Sequence, residues 1–389
     1  MIHRLLALFF SMFFLCLSNL ALAEPIQVGG SLGLTGRYAP LAIMQKRAFE
    51  LWVEQTNAQG GLLGRPLVLT ILDDQSDPTH AIKQYQHLLE EKKVDLLLAP
   101  YSSTLTQAVM PLVEKHGLPM LASGAASDKL WQHGYKNLFG LFTPASRYSV
   151  GFLELIALQG ITEVAIVHAD DGFSRALATG AKQWAERFGL QVVLQQQFKK
   201  GRADLTPLAQ AVKKTQAPAL LVCGHFHESV RMRQALHKVT YQPQAYFATV
   251  GPVLPRYKTE LGALAEDSFS ASQWEPEALH HPKDRARFTQ PFIDRFKVAP
   301  SYHAADAYAA GQILTAAVKK MGTLDRNALR QSLRQNSFIS IIGRYGVDKS
   351  GNQIRHFPLT IQWQNGKKSI VWPDTLASSQ PQFGPAANP

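Results

Sequence analysis

The chain has 389 residues, of which 46% are hydrophobic and 18% are charged, and its formal net charge at pH 7 is +11. This length fits two domains of ordinary size, each with its own core. The lysines and arginines are scattered along the chain, which argues against a nucleic-acid partner. The net positive charge favours anionic solutes.

Residues 1–23 have the features of a secretory signal peptide. Arg4 precedes an apolar run, and Ala21-Leu22-Ala23 matches the small-x-small pattern of a cleavage site. We expect cleavage after this triplet and an exported mature protein, because the apolar run is too short for a transmembrane helix. Cleavage removes Arg4 and Cys16, which lowers the net charge from +11 to +10 and leaves Cys223 with no disulfide partner in the sequence.

The first half of the mature chain alternates between strand and helix patterns, as a parallel α/β sheet does. A strand from Ile26 leads through a glycine-rich turn into a helix, a strand follows at Leu67 to Leu72, and Asp77 precedes a proline that starts the next helix. The turn lacks the G-x-G-x-x-G spacing of a dinucleotide site, so no nucleotide cofactor is expected. Asp73, Asp74 and Asp77 lack the distal glutamate of a calcium loop, and we expect loop and capping roles for them.

The stretch from Leu96 to Ser127 predicts strand, polar turn, helix, strand and a second polar turn. The first turn is Tyr101-Ser102-Ser103 and the second is Ser123 to Ser127, each at the carboxyl end of a strand. Amides and hydroxyls at a helix N-terminus form an anion site. Two such neighbouring turns suggest one small anionic ligand between them. Simple capping of the helix is the alternative.

After Thr143-Pro144 the alternation restarts and predicts a second, similar lobe. Cys223 ends the apolar strand Ala219 to Val222 and is expected to be buried. His225 and His227 follow this strand at its carboxyl end. We favour a polar cleft lining over a metal site there, because no third ligand is visible nearby.

The last part of the chain predicts helices, then strands, then a tail. Three segments alternate between apolar and polar residues as antiparallel strands do: Ile341 to Val347, Leu359 to Trp363 and Ile370 to Trp372. Asn365-Gly366 is a typical hairpin turn. His280 and His281 are expected in a surface loop. The tail, residues 374–389, is rich in Ser, Pro, Gln and Ala, and disorder is predicted for it.

Seven motifs are distributed over nearly the whole mature chain. They are SLGLTGRYAP at Ser31 to Pro40, NAQGGLLGRPL at Asn57 to Leu67, DDQSDP at Asp73 to Pro78, YSSTLTQA at Tyr101 to Ala108, GLPMLASGAAS at Gly117 to Ser127, AIVHADDGFSRALA at Ala165 to Ala178 and IIGRYGVDKSGN at Ile341 to Asn352. With these motifs the chain resembles the type I periplasmic solute-binding proteins of the branched-chain amino-acid transport group.

The resemblance implies an α/β fold with two Rossmann-like lobes joined by three crossovers, near Pro144, Ser272 and Ser340. Lobe 1 would then comprise residues 24–144 and 273–340. Lobe 2 would comprise residues 145–272 and 341–373.

In that family, a serine hydroxyl and backbone amides hold the ligand carboxylate. The resemblance places this role on Ser102 and on the amides around Ala125 and Ala126, with aromatic contacts from Tyr38 and Phe173. The full set of predicted ligand-binding residues is Tyr38, Tyr101, Ser102, Ser103, Ala125, Ala126, Phe173, His225 and Val250.

Two positions depart from the family pattern. Amino-acid binders usually have a threonine where this chain has Ala126 and an acidic residue near Val250, and both groups hold the ligand ammonium. Three carboxylates are candidates to replace them: Asp170, Asp171 and Glu275. Without a replacement, a buried ammonium is unfavourable by several kcal/mol, so a carboxylate ligand with an uncharged aromatic or aliphatic body is expected instead, with Trp274 as a further lining residue.

The resemblance implies a monomeric periplasmic receptor that closes around a small carboxylate-bearing solute and delivers it to an inner-membrane ABC permease. No metal, cofactor or nucleic acid is expected. The sequence has no nucleophile elbow, phosphate-binding loop or zinc-protease pair, so no enzymatic activity is expected. The alternatives are a branched-chain amino-acid or amide carrier and an exported sensor that reports a ligand to a membrane partner.

Overall fold

The computed structural model describes residues 24–278 and 285–385. The predicted signal peptide, His280, His281 and residues 386–389 lie outside these ranges. Within them the chain forms two α/β lobes, each built on its own sheet, and a separate two-stranded sheet. Among the helices in these ranges, none is both long enough and apolar enough to cross a membrane.

Lobe 1 contains a five-stranded parallel sheet with the order β2-β1-β3-β4-β5. The strands are β1 (Ile26–Leu32), β2 (Leu67–Asp73), β3 (Leu96–Leu98), β4 (Met120–Ala122) and β5 (Leu138–Gly140). Strands β3, β4 and β5 are buried at every residue, because helices cover both faces of a parallel sheet. The helices are α1 (Ala39–Ala58), α2 (Pro78–Gln86) and α3 (Ser103–His116), and later α9 (Gln290–Phe296), α10 (Tyr302–Met321) and α11 (Arg326–Gln335).

Lobe 2 contains a seven-stranded sheet with the order β14-β13-β10-β9-β8-β6-β7. The strands are β6 (Glu163–Ala169), β7 (Gln191–Phe198), β8 (Ala219–Cys223), β9 (Ala245–Ala248), β10 (Ser268–Ser272), β13 (Leu359–Gln364) and β14 (Lys367–Trp372). The first five are parallel, and β13 and β14 add antiparallel. The helices are α4 (Val150–Leu158), α5 (Gly172–Arg187), α6 (Thr206–Thr215), α7 (Phe226–Lys238) and α8 (Pro255–Leu261).

The third crossover lies later than predicted. Strands β11 (Phe338–Ser340) and β12 (Gly343–Tyr345) pair with each other and join neither large sheet. The chain beyond them still contacts lobe 1, because Gly140 N donates to the Gly351 carbonyl over 2.9 Å. Residues 341–353 therefore pack with lobe 1, and the predicted crossover near Ser340 is wrong. The chain enters the lobe 2 sheet only at β13.

The prediction of disorder after residue 373 is wrong for residues 374–385. Gln362 Nε2 on β13 donates to the Gln382 carbonyl over 2.6 Å, and Gly384 N donates to the Gln244 carbonyl over 2.8 Å. The Phe383 ring lies 5.7 Å from the Phe269 ring. The tail is ordered because buried glutamine amides on β13 need hydrogen-bond partners, which the tail backbone supplies.

Several local predictions are confirmed. The Asp77 carboxylate accepts hydrogen bonds from Thr79 N and His80 N and caps α2. Asn365 and Gly366 both have positive φ, as a two-residue hairpin turn between β13 and β14 requires. Cys223 is a buried free cysteine.

Candidate functional site

A small cavity lies between the two lobes. Its eleven lining residues are Tyr101, Ser102, Ser103, Gly124, Ala126, Phe142, Tyr148, Phe173, His225, Val250 and Tyr302. Most of them follow the carboxyl ends of parallel strands, from β3, β4 and β5 in lobe 1 and from β6, β8 and β9 in lobe 2.

Ser102 occupies the N-cap position of α3 but does not cap the helix. Its side chain makes no capping hydrogen bond, and the hydroxyl is buried without any partner among the described residues. A buried hydroxyl without a partner is unfavourable by about 1–3 kcal/mol. Simple capping was the alternative for this residue, and the geometry contradicts it. The Ser102 hydroxyl is instead available to a ligand beside the N-terminus of α3.

Ser103 supports the second turn of the anion site. Its Oγ accepts hydrogen bonds from Ala126 N over 3.1 Å and from Ser127 N over 3.0 Å. The Ala126 amide therefore already has an acceptor within the protein, although Ala126 lines the cavity as predicted. Because Ser103 Oγ accepts twice, its own proton remains available for donation.

Aromatic rings form most of the remaining wall. Phe173 and Tyr101 were predicted, whereas sequence reasoning missed Phe142, Tyr148 and Tyr302. Phe142 follows β5 as Tyr101 follows β3, so its position at a strand end was a usable signal. For Tyr148 and Tyr302 the sequence carries no such signal.

Val250 closes the lobe 2 side of the cavity in an unusual conformation. Its φ is +68°, and Gly251 N donates to the Thr249 carbonyl over 2.7 Å, the hydrogen-bond pattern of a γ-turn. A β-branched residue at positive φ is strained, and such strain concentrates at functional sites. Thr249 fixes the neighbouring turn, because its Oγ1 accepts a hydrogen bond from Gly224 N over 3.0 Å.

A buried charged cluster lies beside His225. Lys200 Nζ is 2.8 Å from the Tyr38 hydroxyl, 3.2 Å from Asp171 Oδ2 and 3.3 Å from His225 Nδ1. Glu228 Oε1 and Oε2 accept hydrogen bonds from Gly201 N and His225 N, each over 3.1 Å. Lys200 and Asp171 belong to lobe 2 and Tyr38 belongs to lobe 1, so the cluster bridges the cleft.

Burial and charge together set the protonation of this cluster. Burial opposes ionisation of Asp171, but His225, Lys200 and Ser174 outweigh it and hold the pKa of Asp171 below its usual value. Burial also opposes the charge on Lys200, but Asp171 and Tyr38 outweigh it and raise the pKa of Lys200. Burial and Lys200 lower the pKa of His225 to about 4. At neutral pH the cluster therefore holds an ammonium, two carboxylates and a neutral imidazole.

Some predicted residues do not line the cavity. Tyr38 lies one layer outside it, with its ring 5.3 Å from that of Tyr101 and 5.4 Å from that of His225. Ala125 is buried but is not a lining residue. Glu275 forms an ion pair with Lys368 Nζ at 2.8 Å and is therefore not available as a partner for a ligand ammonium.

Two further candidates are also engaged elsewhere. Trp274 packs on Phe288, with ring centroids 5.6 Å apart, and does not line the cavity. Asp170 accepts a hydrogen bond from Lys200 N over 2.8 Å. In the described ranges, no group of three or more His, Cys, Asp or Glu side chains is placed to hold a metal ion.

Comparison with known proteins identifies the family. A family model described as "Periplasmic binding protein" matches residues 25–368. The chain therefore belongs to the periplasmic binding protein family. It is 24% identical over 378 residues to the Leu/Ile/Val-binding protein homolog 7 of Brucella melitensis, covering 91% of this chain and 93% of that protein. It is 25% identical over 350 residues to the leucine-, isoleucine-, valine-, threonine- and alanine-binding protein of Pseudomonas aeruginosa, covering 88% and 90% of the two chains.

Solved structures confirm the two-lobed fold. The branched-chain amino acid transporter substrate-binding protein of Streptococcus pneumoniae, in complex with isoleucine, matches with a TM-score of 0.81 at 19% identity, covering 88% of this chain and 97% of that chain. A solute-binding protein of an ABC transporter from R. palustris, in complex with benzoate, matches with a TM-score of 0.77 at 18% identity, covering 89% and 95%. The type I periplasmic binding fold predicted from the sequence is thus confirmed.

Proposed function

We propose that the protein is the periplasmic substrate-binding component of an ABC importer and that it captures a small carboxylic acid with an uncharged body. One observation carries the proposal: the Ser102 hydroxyl is buried at the N-terminus of α3 without a partner in the part of the chain that the structure describes, and it lines the cavity between the lobes. A carboxylate accepts hydrogen bonds from such hydroxyls and from the free amides of a helix N-terminus. The inner-membrane permease is the partner that this role requires.

The uncharged body of the ligand follows from the rest of the wall. None of the eleven lining residues is acidic, and five of them are Phe or Tyr. An ammonium in this cavity would lose its hydration without gaining a carboxylate partner. An aromatic or branched aliphatic group would instead contact apolar rings on several sides.

The relatives support two ligand classes. The Brucella relative is named for leucine, isoleucine and valine, and the Pseudomonas relative also for threonine and alanine, which favours a branched-chain amino-acid carrier as the second candidate. The R. palustris structure contains benzoate, an acid without an ammonium group. Both classes share the carboxylate, and they differ in the ammonium.

Calorimetry with matched pairs of ligands distinguishes the two candidates. We expect phenylpropionate to bind more tightly than phenylalanine, and 4-methylpentanoate more tightly than leucine. Val250→Asp places a carboxylate at the cavity, and aspartate adopts positive φ more readily than valine does. This variant should shift the preference toward the amino acids. Tighter binding of leucine or phenylalanine by the wild-type protein would favour the amino-acid carrier.

A further inference from the structure

The ammonium of Lys200 is enclosed by a shell of acceptors, which we call the acceptor shell and define as Asp171, Tyr38 and His225. The three contact distances are 3.2, 2.8 and 3.3 Å. The Lys200 side chain is only 10% exposed, and that of Asp171 is 7% exposed. Lys200 Nζ also lies 4.9 Å from the centre of the Tyr38 ring, within range of a cation–π contact.

The acceptor shell shares a wall with the ligand cavity. His225 belongs to the shell through the contact of its Nδ1 with Lys200 Nζ, and it also lines the cavity. The Asp171 carboxylate caps α5 through hydrogen bonds from Phe173 N and Ser174 N, and Phe173 also lines the cavity. A buried ammonium needs this kind of surrounding, because desolvation of the charge has to be offset by acceptors and an opposite charge.

We propose that Lys200 determines specificity: its ammonium fills, from within the protein, the acceptor shell that would otherwise serve an ammonium on the ligand. The inference rests on the proposed function, since it explains why that ligand is an acid without an ammonium. A second ammonium beside Lys200 would meet like-charge repulsion and would find Asp171 already paired. The hydrogen bond from Lys200 Nζ to the Tyr38 hydroxyl also joins the two lobes, so no ammonium on the ligand is needed for this contact.

Lys200 additionally fixes the tautomer of His225. An ammonium only donates hydrogen bonds, so Nδ1 of the neutral imidazole is the acceptor and Nε2 carries the proton. His225 then offers a donor, not an acceptor, with its second nitrogen. A donor at this position suits ligand oxygens and disfavours an ammonium.

The test compares Lys200→Ala with the matched control Lys199→Ala. Lys199 is the adjacent residue, and its side chain is exposed. Affinities for phenylpropionate and phenylalanine are measured by calorimetry. In Lys200→Ala we expect the preference for phenylpropionate over phenylalanine to fall by about tenfold or more, because the acceptor shell becomes available to the amino group. Lys199→Ala and the charge-preserving Lys200→Arg should keep the wild-type preference.

A second measurement needs no ligand. Methylammonium chloride should raise the melting temperature of Lys200→Ala relative to equal sodium chloride, by replacing the missing ammonium in the acceptor shell. Wild type and Lys199→Ala should show no such difference. An unchanged ligand preference together with no methylammonium effect would overturn the proposal. If wild-type protein binds neither acid while methylammonium still stabilises Lys200→Ala, the acceptor shell stands and the proposed function fails.

Discussion

At the scale of single residues, two adjacent serines at the start of α3 have different tasks. Ser103 Oγ holds the second turn through Ala126 N and Ser127 N, whereas the Ser102 hydroxyl has no partner among the described residues. From the local sequence alone, the two serines are predicted to have the same role at the start of the helix. Their three-dimensional surroundings assign one to structure and the other to the ligand.

Ser102→Ala should therefore weaken binding of phenylpropionate while leaving the melting temperature of the ligand-free protein nearly unchanged. A hydrogen bond to a carboxylate contributes about 1.5–3 kcal/mol, which is about ten- to a hundredfold in affinity. Ser103→Ala is the matched control, and it should lower the melting temperature because two buried amides lose their acceptor. Equal calorimetric affinities for Ser102→Ala and wild type would remove Ser102 from the site.

The pH dependence of stability is a second test at the residue scale. The pKa of His225 is lowered to about 4 by burial and by Lys200. Between pH 6.5 and 4 the unfolded chain therefore gains a proton at this residue that the folded protein does not. This group alone lowers the free energy of unfolding by about 3 kcal/mol over that interval as pH falls. His303 and His356, with pKa values lowered by burial to about 3 and about 4, act in the same direction.

The contribution of His225 is isolated by comparing wild type with His225→Gln in urea unfolding at pH 7 and pH 4.5. The variant should lose less stability on acidification than wild type. Asp74 acts in the opposite direction in both proteins, since burial raises its pKa to about 6 and it keeps its proton in the folded state. An identical pH slope in the two proteins would show that His225 is not held neutral.

At the scale of elements, the carboxyl-terminal tail is part of lobe 2. Gln364 Nε2 on β13 donates to the Gln380 carbonyl over 2.8 Å, and Ser378 N donates to the Ile370 carbonyl of β14 over 2.8 Å. Phe383 contacts Phe269. The tail thus supplies hydrogen-bond partners for the backbone of β14 and for glutamine side chains of β13, which would otherwise face solvent or remain unpaired.

Deletion of residues 377–389 should lower the free energy of unfolding by about 1–3 kcal/mol, because it removes these hydrogen bonds and the Phe383 contact. Urea unfolding followed by tryptophan fluorescence measures the change. Deletion of residues 386–389 alone is the reference for the longer deletion. If both deletions have the same unfolding midpoint, residues 377–385 do not contribute to the stability of lobe 2.

At the scale of the whole molecule, the lobes form a closed arrangement. Lys200 Nζ donates to the Tyr38 hydroxyl across the cleft over 2.8 Å, and Ser127 Oγ donates to the Gly172 carbonyl over 3.0 Å. The residues that line the cavity from both lobes are buried. We therefore expect a ligand to enter only after the lobes separate, by hinge motion at the crossovers.

A disulfide across the cleft tests this closure. A Cβ built on Gly172 lies 3.7 Å from Ser127 Oγ, so Ser127→Cys with Gly172→Cys should oxidise readily in the closed form. In small-angle scattering we expect the oxidised protein to have the radius of gyration of ligand-bound wild type, which is smaller than that of ligand-free wild type. The oxidised protein should bind phenylpropionate only after reduction. Cys223 is buried and should not interfere. Unimpaired binding by the oxidised protein would exclude hinge opening.

The sequence by itself determined the α/β class, the two lobes and the position of the first polar turn, for which anion binding is predicted. These features depend on local signals: apolar runs such as Leu96–Leu98 report burial on both faces, and polar residues after them report a strand end followed by a helix start. The same logic placed Ser102 and His225 at strand ends that border the cavity, whereas Phe173 and Val250 were placed there by the family resemblance. Periodicity and turn chemistry are properties of neighbouring residues, so a single sequence contains them.

Only the tertiary structure decided which distant groups meet. Lys200 bonds Tyr38 although 162 positions separate them, and the segment around Gly351 returns to lobe 1 instead of joining lobe 2. The composition of the tail predicts disorder, yet the tail forms hydrogen bonds with β13. Asp171, a candidate partner for a ligand ammonium, is paired with Lys200. Composition and periodicity measure how strongly a residue prefers burial. The choice of partner depends on shape and charge complementarity between segments that the chain brings together only when folded.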